Sequence, residues 1–379
     1  MDVEGHNTPD REFGARAAAL AAPFFAALDV MRRTQAGALG ALGFAPRECD
    51  YRVLETTPRW RLRDYGGEGP SLLIVAAPIK RPYVWDLAPS VSVIRRCLAE
   101  DLHLYLLEWL PPEPAHGGEG LEAHVDGVLQ AAAKVAAAGG TRPVLIGHSL
   151  GGTLAAIAAA VESREIAALV LIGAPLCFAR ATSRFGDVLA TMDASALADM
   201  TVVPGSFLTQ VSAAASPETF VWSRLMDAAT IAGDRAAMDL HARVEHWALD
   251  EAALPAALVR EIFQDLYRDN RLVRGELMVH GRRIGPSAVN VPVLAAANTA
   301  DQVAPPAAMA PFLDAMGGSP RLIAYPGETG VVLQHLALLI GREAHARIWP
   351  EIIGWIRTRQ TTSPPPISQP RSRSRATRA

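Results

Sequence analysis

Six short apolar runs recur along the chain: SLLIVAAP from Ser71, LYLLEW from Leu104, PVLIG from Pro143, ALVLIG from Ala168, VPVLAAAN from Val291 and RLIAY from Arg321. Each has the length of a strand and few polar residues. A strand that is apolar on both faces must be covered on both faces, which demands helices on either side of a mostly parallel sheet. Helical patterns do separate the runs, so the expected class is α/β. The rhythm stops between Phe178 and Ile284, where RAAMDLHARVEHWALD and LVREIFQDLYRDN read as helices within irregular chain. That stretch is a helical cap inserted before the last two strands. At 379 residues, half of them hydrophobic, the chain can bury a core of this size.

The resulting division is an N-terminal helical segment at 1–50, core halves at 51–177 and 286–358, the cap at 178–285, and a basic tail at 359–379. The stretch from Arg16 to Leu42 reads as one or two amphipathic helices packed on the main domain. TTSPPPISQPRSRSRATRA, from Thr361, combines consecutive prolines with Arg371, Arg373, Arg375 and Arg378, a composition that favours disorder. The net charge of −3 argues against a dedicated nucleic-acid partner. No apolar run reaches the roughly 20 residues that span a bilayer, and the acidic start, with Pro23 inside its first apolar patch, does not read as a secretory leader. Cys49, Cys97 and Cys177 stand far apart, which suits free thiols in a reducing compartment and offers no thiolate cluster for zinc. The expected location is the cytoplasm, with granule association as an alternative.

VLIGHSLGGTLAAI, from Val144, carries Gly147, Ser149 and Gly151 as G-x-S-x-G between a strand and a helical pattern. This is the setting of a nucleophile elbow, in which a serine sits on a strained turn and near-absent side chains two positions to either side prevent clashes. The following helix would aim free amides and its positive end at the serine oxygen. The alternative is a serine that merely fits a tight turn. In this arrangement the acid follows a late strand and the histidine the last one. Asp301, in NTADQVAPP, and His335, in GETGVVLQHLALLIG, occupy those places. Each taken alone could be a loop carboxylate or a core histidine. His345 is expected to face solvent, His148 to line or brace the pocket, and Asp314 and Glu328 to be fallback acids. The amide of Leu150 would be one oxyanion donor, and that of Ile79 or Lys80, in APIKRPY, the second.

These residues point to an α/β-hydrolase fold with Ser149, His335 and Asp301 as a triad. The chain further resembles the polyhydroxyalkanoate synthases, above all the shorter ones that work with a partner subunit. The resemblance rests on LLIVAAPIKRPYVWDLAP, LYLLEWLPP, LIGHSLGGTLA, VPGSF, LYRDNRLVRGELMVHGRRI, VPVLAAANTADQVAPP and IWPEIIGWI, in order from about residue 70 to 356. YRDNRLVRGEL is the most specific of these. The resemblance as a whole implies a nucleophile at Ser149, an acid at Asp301 and a base at His335, an acyl-CoA substrate, and a partner subunit or a homo-oligomer. The departures are as informative: the family uses cysteine where Ser149 stands, commonly has glycine where Gln334 stands, and has an aliphatic and aspartate pair where Leu176 and Cys177 stand. A thiolate exchanges readily with thioesters and suits repeated acyl transfer, whereas a serine ester with activated water favours hydrolysis. The expected activity is therefore hydrolysis of an ester, polyester or acyl thioester. The alternatives are synthase-type acyl transfer and a non-catalytic granule-binding protein. None of these needs a metal or a cofactor.

Overall fold

The computed structural model describes residues 8–197 and 199–360; the basic tail from residue 361 on lies outside them. Strands β1 (Arg52–Thr56) and β2 (Trp60–Gly66) form an antiparallel pair, followed by β3 (Ser71–Val75), β4 (His103–Trp109), β5 (Val144–His148) and β6 (Ala168–Ile172). The chain then leaves the sheet. It forms two short antiparallel pairs, β7 (Val202–Val203) with β8 (Leu254–Pro255) and β9 (Leu277–Val279) with β10 (Arg282–Ile284). It returns as β11 (Val293–Asn298) and β12 (Arg321–Tyr325), completing an eight-stranded sheet in the order β1-β2-β4-β3-β5-β6-β11-β12. Pairing is parallel from β4 to β12, and only the β1 and β2 edge runs antiparallel.

Alternation along the strands divides the apolar side chains between two layers. On β5, Leu145 joins Leu73, Leu169 and the helices Leu121–Gly139 and Leu150–Val161, while Val144 and Ile146 face the other way with Leu72, Val170, the helix Val93–Ala99 and the helix Trp349–Gln360. Both sheet faces are thus covered, as the continuous apolar runs require. The β1 and β2 edge has a different pattern. In WRLRDYG, arginines alternate with apolar residues, and Arg61 and Arg63 each donate an Nε–H to Glu108 Oε2 at 2.8 Å. A search for continuous apolar strands passes over such a segment.

Residues between β6 and β11 form helices over Gly205–Ala215, Ser223–Thr230, Arg235–Leu249 and Ala256–Glu261, together with the β9 and β10 hairpin. The sequence pattern there predicts irregular chain, and the structure forms a hairpin instead. Its Leu277, Val279 and Ile284 are buried in the same apolar layer as the helix Leu150–Val161, so this end of the insertion belongs to the core. Asn270, in YRDNRLVRGEL, takes a left-handed φ of 49° and accepts the Phe178 amide on Oδ1 at 2.8 Å, tying the end of the insertion to its beginning. The long helix Thr8–Leu39 packs on Gly205–Ala215 and Arg235–Leu249, which makes the insertion its partner rather than the sheet. Asp29 explains part of this contact. Proline at 204 gives the helix Gly205–Ala215 no side-chain cap of its own, and the buried Asp29 carboxylate accepts the Gly205 and Ser206 amides at 3.1 and 2.7 Å.

Candidate active site

Between β5, ending at His148, and the helix beginning at Leu150, Ser149 is the whole turn. Its φ of 55° and ψ of −133° lie outside the regions open to most L-residues. The glycines make this affordable. A Cβ on Gly147 would stand 2.5 Å from the Gly152 nitrogen, and one on Gly151 would stand 2.2 Å from the Val75 carbonyl oxygen. Gly152 adds a third close approach, 2.6 Å from Ala174 Cβ.

The Ser149 hydroxyl lies 2.8 Å from His335 Nε2, and His335 Nδ1–H donates to Asp301 Oδ2 at 2.7 Å. Asp301 is buried in the turn after β11, where Oδ1 accepts the Val303 amide at 2.7 Å. Burial opposes the ionised carboxyl, but the His335 imidazole and the amides of Val303 and Ala304 outweigh it and hold Asp301 below the usual carboxylate range. The structure thus brings together three residues spread over more than 180 positions, from the ends of β5 and β11 and the loop after β12.

His148 reaches the histidine turn and, with Ser149, lines the same cavity. Its Nε2–H donates to the His335 carbonyl at 2.8 Å, and the two rings lie 4.6 Å apart. Burial, reinforced by His335, pushes its pKa down to about 3, so it is neutral. Leu150 opens the helix beside the nucleophile, and Ile79 lines the same cavity. Ala77, earlier in the same loop than Ile79 and Lys80, also comes close to the elbow: its nitrogen would be 2.9 Å from a Cβ on Gly151. The Lys80 backbone is bridged to Glu251.

His345 departs from expectation. Instead of facing solvent it is buried, with Nε2–H donating to the Leu339 carbonyl at 2.8 Å and Nδ1 accepting from Arg96 Nε at 3.1 Å. Arg96, almost 250 positions earlier, reaches it through tertiary folding, which helical periodicity does not reveal, and Trp349, four positions on, stacks on it from the same helical stretch. Asp314 is exposed at the end of the helix Ala310–Asp314. Glu328 accepts the Tyr325 hydroxyl at 2.6 Å and the amides of Arg342 and Glu343 at 2.7 Å each, so it is occupied in organising its own loop.

A cavity of about 210 Å³ opens onto Ser149 and His335. The insertion supplies most of its apolar wall, including Phe185, Leu208, Phe220, Val259, Phe263 and Tyr267. Arg32, Lys80, Arg81 and Arg224 reach its lining, with no carboxylate among the lining residues. The counter-charges stand outside the lining: the buried Glu251 carboxylate accepts from Arg32, Lys80 and Thr209 at 2.7, 2.7 and 2.9 Å, while Arg224 pairs with Glu245 and Arg81 with Asp250. Arg32 belongs to the N-terminal helix, so three separate segments meet at one carboxylate. No pattern in the sequence announced this. Among the described residues no group of three or more His, Cys, Asp or Glu is placed to hold a metal ion.

Residues 112–321, more than half of the chain, match the alpha/beta hydrolase fold family. The chain belongs to that family. Among curated proteins it is similar to the poly(3-hydroxyalkanoate) polymerase subunit PhaC of Haloferax mediterranei, with 26% identity over 77% of this chain and 59% of that protein. It is also similar to the PhaC subunit of Synechocystis sp., with 25% identity over 84% of this chain and 86% of the other. The chain thus spans about three fifths of the length of the Haloferax relative. A crystal structure of the esterase RhEst1 from Rhodococcus sp. superposes with a TM-score of 0.49 and 16% identity, covering 82% of this chain and 99% of the esterase. None of the described helices is long and apolar enough to cross a membrane.

Proposed function

We propose that this α/β-hydrolase is a serine hydrolase that cleaves an ester, polyester or acyl thioester of the hydroxyalkanoate type. The observation that carries the reading is the unbroken line from Asp301 Oδ2 through His335 to Ser149 Oγ, with contacts of 2.7 and 2.8 Å. His335 Nε2 takes the hydroxyl proton as Ser149 Oγ attacks the acyl carbon. Asp301 holds the imidazole by Nδ1–H and stabilises its charged form. The amides of Leu150 and Ile79 receive the developing oxyanion. His335 then returns the proton to the leaving alkoxide or thiolate; water, deprotonated by His335, attacks the acyl carbon, the bond to Ser149 Oγ breaks, and His335 gives that proton to Oγ as the acid leaves.

A second reading is supported by the similarity to polymerase subunits: the acyl group passes from Ser149 to another hydroxyl, as in synthase-type transfer from hydroxyacyl-CoA. On that reading a partner subunit and a granule surface are natural companions; on the first, the enzyme works in the cytoplasm without them. A catalytically silent, granule-binding role is the third reading, and a triad within hydrogen-bond distance counts against it. The test is incubation with p-nitrophenyl esters and 3-hydroxybutyryl-CoA, with mass spectrometry of the products. Free 3-hydroxybutyrate is expected; oligomer would transfer the assignment to the second reading, and no turnover of any acyl substrate to the third. Ser149→Cys should move the product partition from free acid toward transfer to added hydroxyl acceptors, because a thioester intermediate retains more driving force.

A further inference from the structure

The turns that carry Ser149, Asp301 and His335 leave three separate strand ends, β5, β11 and β12. Two buried side chains outside the triad tie them to one another. His148, the last residue of β5, donates its Nε2–H to the His335 carbonyl at 2.8 Å and so fastens the elbow to the histidine turn. Asn298, the last residue of β11 and 1% exposed, donates Nδ2–H to the preceding carbonyl, Gln334, at 2.8 Å. Its Oδ1 accepts the Ala300 amide at 2.9 Å, so one amide side chain joins the acid turn to the histidine turn. Gln334 adds a third tie, donating Nε2–H to the Glu328 carbonyl at 2.7 Å and presenting Oε1 to Asn298 Nδ2 at 3.1 Å. Gly327, with φ 82°, leaves room for it, since a Cβ there would stand 2.5 Å from Gln334 Oε1. The position where the resembled family commonly has glycine is thus filled by a side chain built into the turn.

We infer that His148 and Asn298 are positioning residues: by holding two consecutive carbonyls of the histidine turn from two different strand ends, they keep His335 in line with both Ser149 and Asp301. The inference rests on the serine-hydrolase reading. Each side chain is hydrogen-bonded to a backbone carbonyl of the histidine turn rather than to a reacting atom. Their effect is on the fraction of molecules in which His335 is aligned, and a displacement of about 1 Å can cost about 100-fold in rate.

The test uses the full chain, hydrolysis of p-nitrophenyl butyrate and the rate of labelling by a fluorophosphonate. His148→Phe keeps a ring without the donor, His148→Gln restores an N–H, and Asn298→Asp keeps the acceptor for Ala300 while removing the donor to Gln334. For His148→Phe and Asn298→Asp, kcat and the labelling rate should fall together by about 10- to 100-fold, with KM changed less than about 3-fold. His148→Gln should recover part of the loss. In a His335→Ala background neither variant should lower the residual labelling rate further, because no base remains to align. Losses below about twofold in both variants would overturn the inference, as would the same fold-loss persisting in the His335→Ala background. Should Asn298→Asp lose its cooperative thermal transition, His148→Phe against His148→Gln decides alone. A His335→Ala protein with wild-type turnover would instead remove the hydrolase reading itself.

Discussion

The sheet and the insertion use different means to build the two halves of one site. The sheet contributes groups at the ends of strands, where hydrogen bonding from β3 through β12 fixes backbone positions. The insertion contributes bulk: Phe185, Phe220 and the pair Phe263 and Tyr267 lie on three separate helical stretches and meet only because those stretches fold over Ser149. A strand end holds a single atom within a fraction of an ångström, which bond-making requires. A lid of aromatic side chains fixes a volume and excludes water. Substitutions should therefore separate, with sheet variants losing rate and insertion variants changing which substrates are accepted.

The sharpest break in the comparison comes from the triad. Ser149→Ala and His335→Ala should each lower kcat for p-nitrophenyl butyrate by about 10⁴- to 10⁶-fold, and the former should abolish fluorophosphonate labelling. Asp301→Asn should cost somewhat less, about 10³- to 10⁴-fold, since it leaves the geometry and removes the preferred tautomer. Stopped assays on purified variants with unchanged thermal transitions would decide it. A variant within tenfold of wild type at any of these positions would remove that residue from the proposed machinery.

The same division explains what could be read in the sequence. Buried parallel strands announce themselves as continuous apolar runs, and strand order then dictates where an acid and a histidine must fall relative to G-x-S-x-G. Ser149 and Asp301 were legible in that way because each lies within three residues of a strand end, and His335 because it falls in the chain that follows the last strand. Asn298 left a readable signal too, an amide closing the otherwise apolar VLAAAN. The second strand escaped because Arg61 and Arg63 interrupt its apolar pattern and pair with Glu108, which lies more than 40 positions away. Glu251, Arg32 and Lys80 meet through tertiary folding alone, and no spacing rule connects them. His345 was misplaced for a related reason: helical periodicity describes a face, not what distant chain, here Arg96, lays against it.

A second prediction concerns acidification and belongs to the sheet half. His124, His148 and His345 are buried, and burial pushes their pKa values down to about 4, 3 and 4. Each is neutral in the fold. Between the ordinary histidine value of about 6.5 and these lowered values the unfolded chain binds more protons, so stability falls as pH falls through that window and is unaffected above it. At pH 5 the loss should reach about 2 kcal/mol for each such histidine. Urea unfolding at pH 7.5 and pH 5 should show it, and His345→Asn should reduce the difference by about one histidine's share while leaving kcat at pH 7.5 within about threefold. An unchanged pH dependence would mean that His345 is charged or hydrated in the fold. A large loss of kcat would instead place it in the machinery that His335 now occupies.

The smallest effect tests the insertion half. Phe263 lines the cavity and is 6% exposed, so replacing it with alanine removes a ring from a packed wall and should cost about 3 to 4 kcal/mol of stability. The space gained can hold methylenes that the native wall excludes, and each methylene transferred from water contributes about 0.8 kcal/mol. Part of that gain is lost because the cavity partly collapses and the chain must be ordered within it. The net expectation is a shift of about tenfold in the ratio of kcat/KM for p-nitrophenyl octanoate over butyrate, toward the longer chain. Neither the fluorophosphonate labelling rate nor kcat for the butyrate should change more than about threefold, since His335 and Ser149 keep their supports. The ratio must be read rather than either rate, because a less stable protein lowers both together. A proportional loss on both esters would mean that Phe263 only packs, and that acyl length is judged elsewhere along the wall. A loss confined to kcat would erase the distinction between the two halves, because an insertion side chain would then be holding the reacting groups in place.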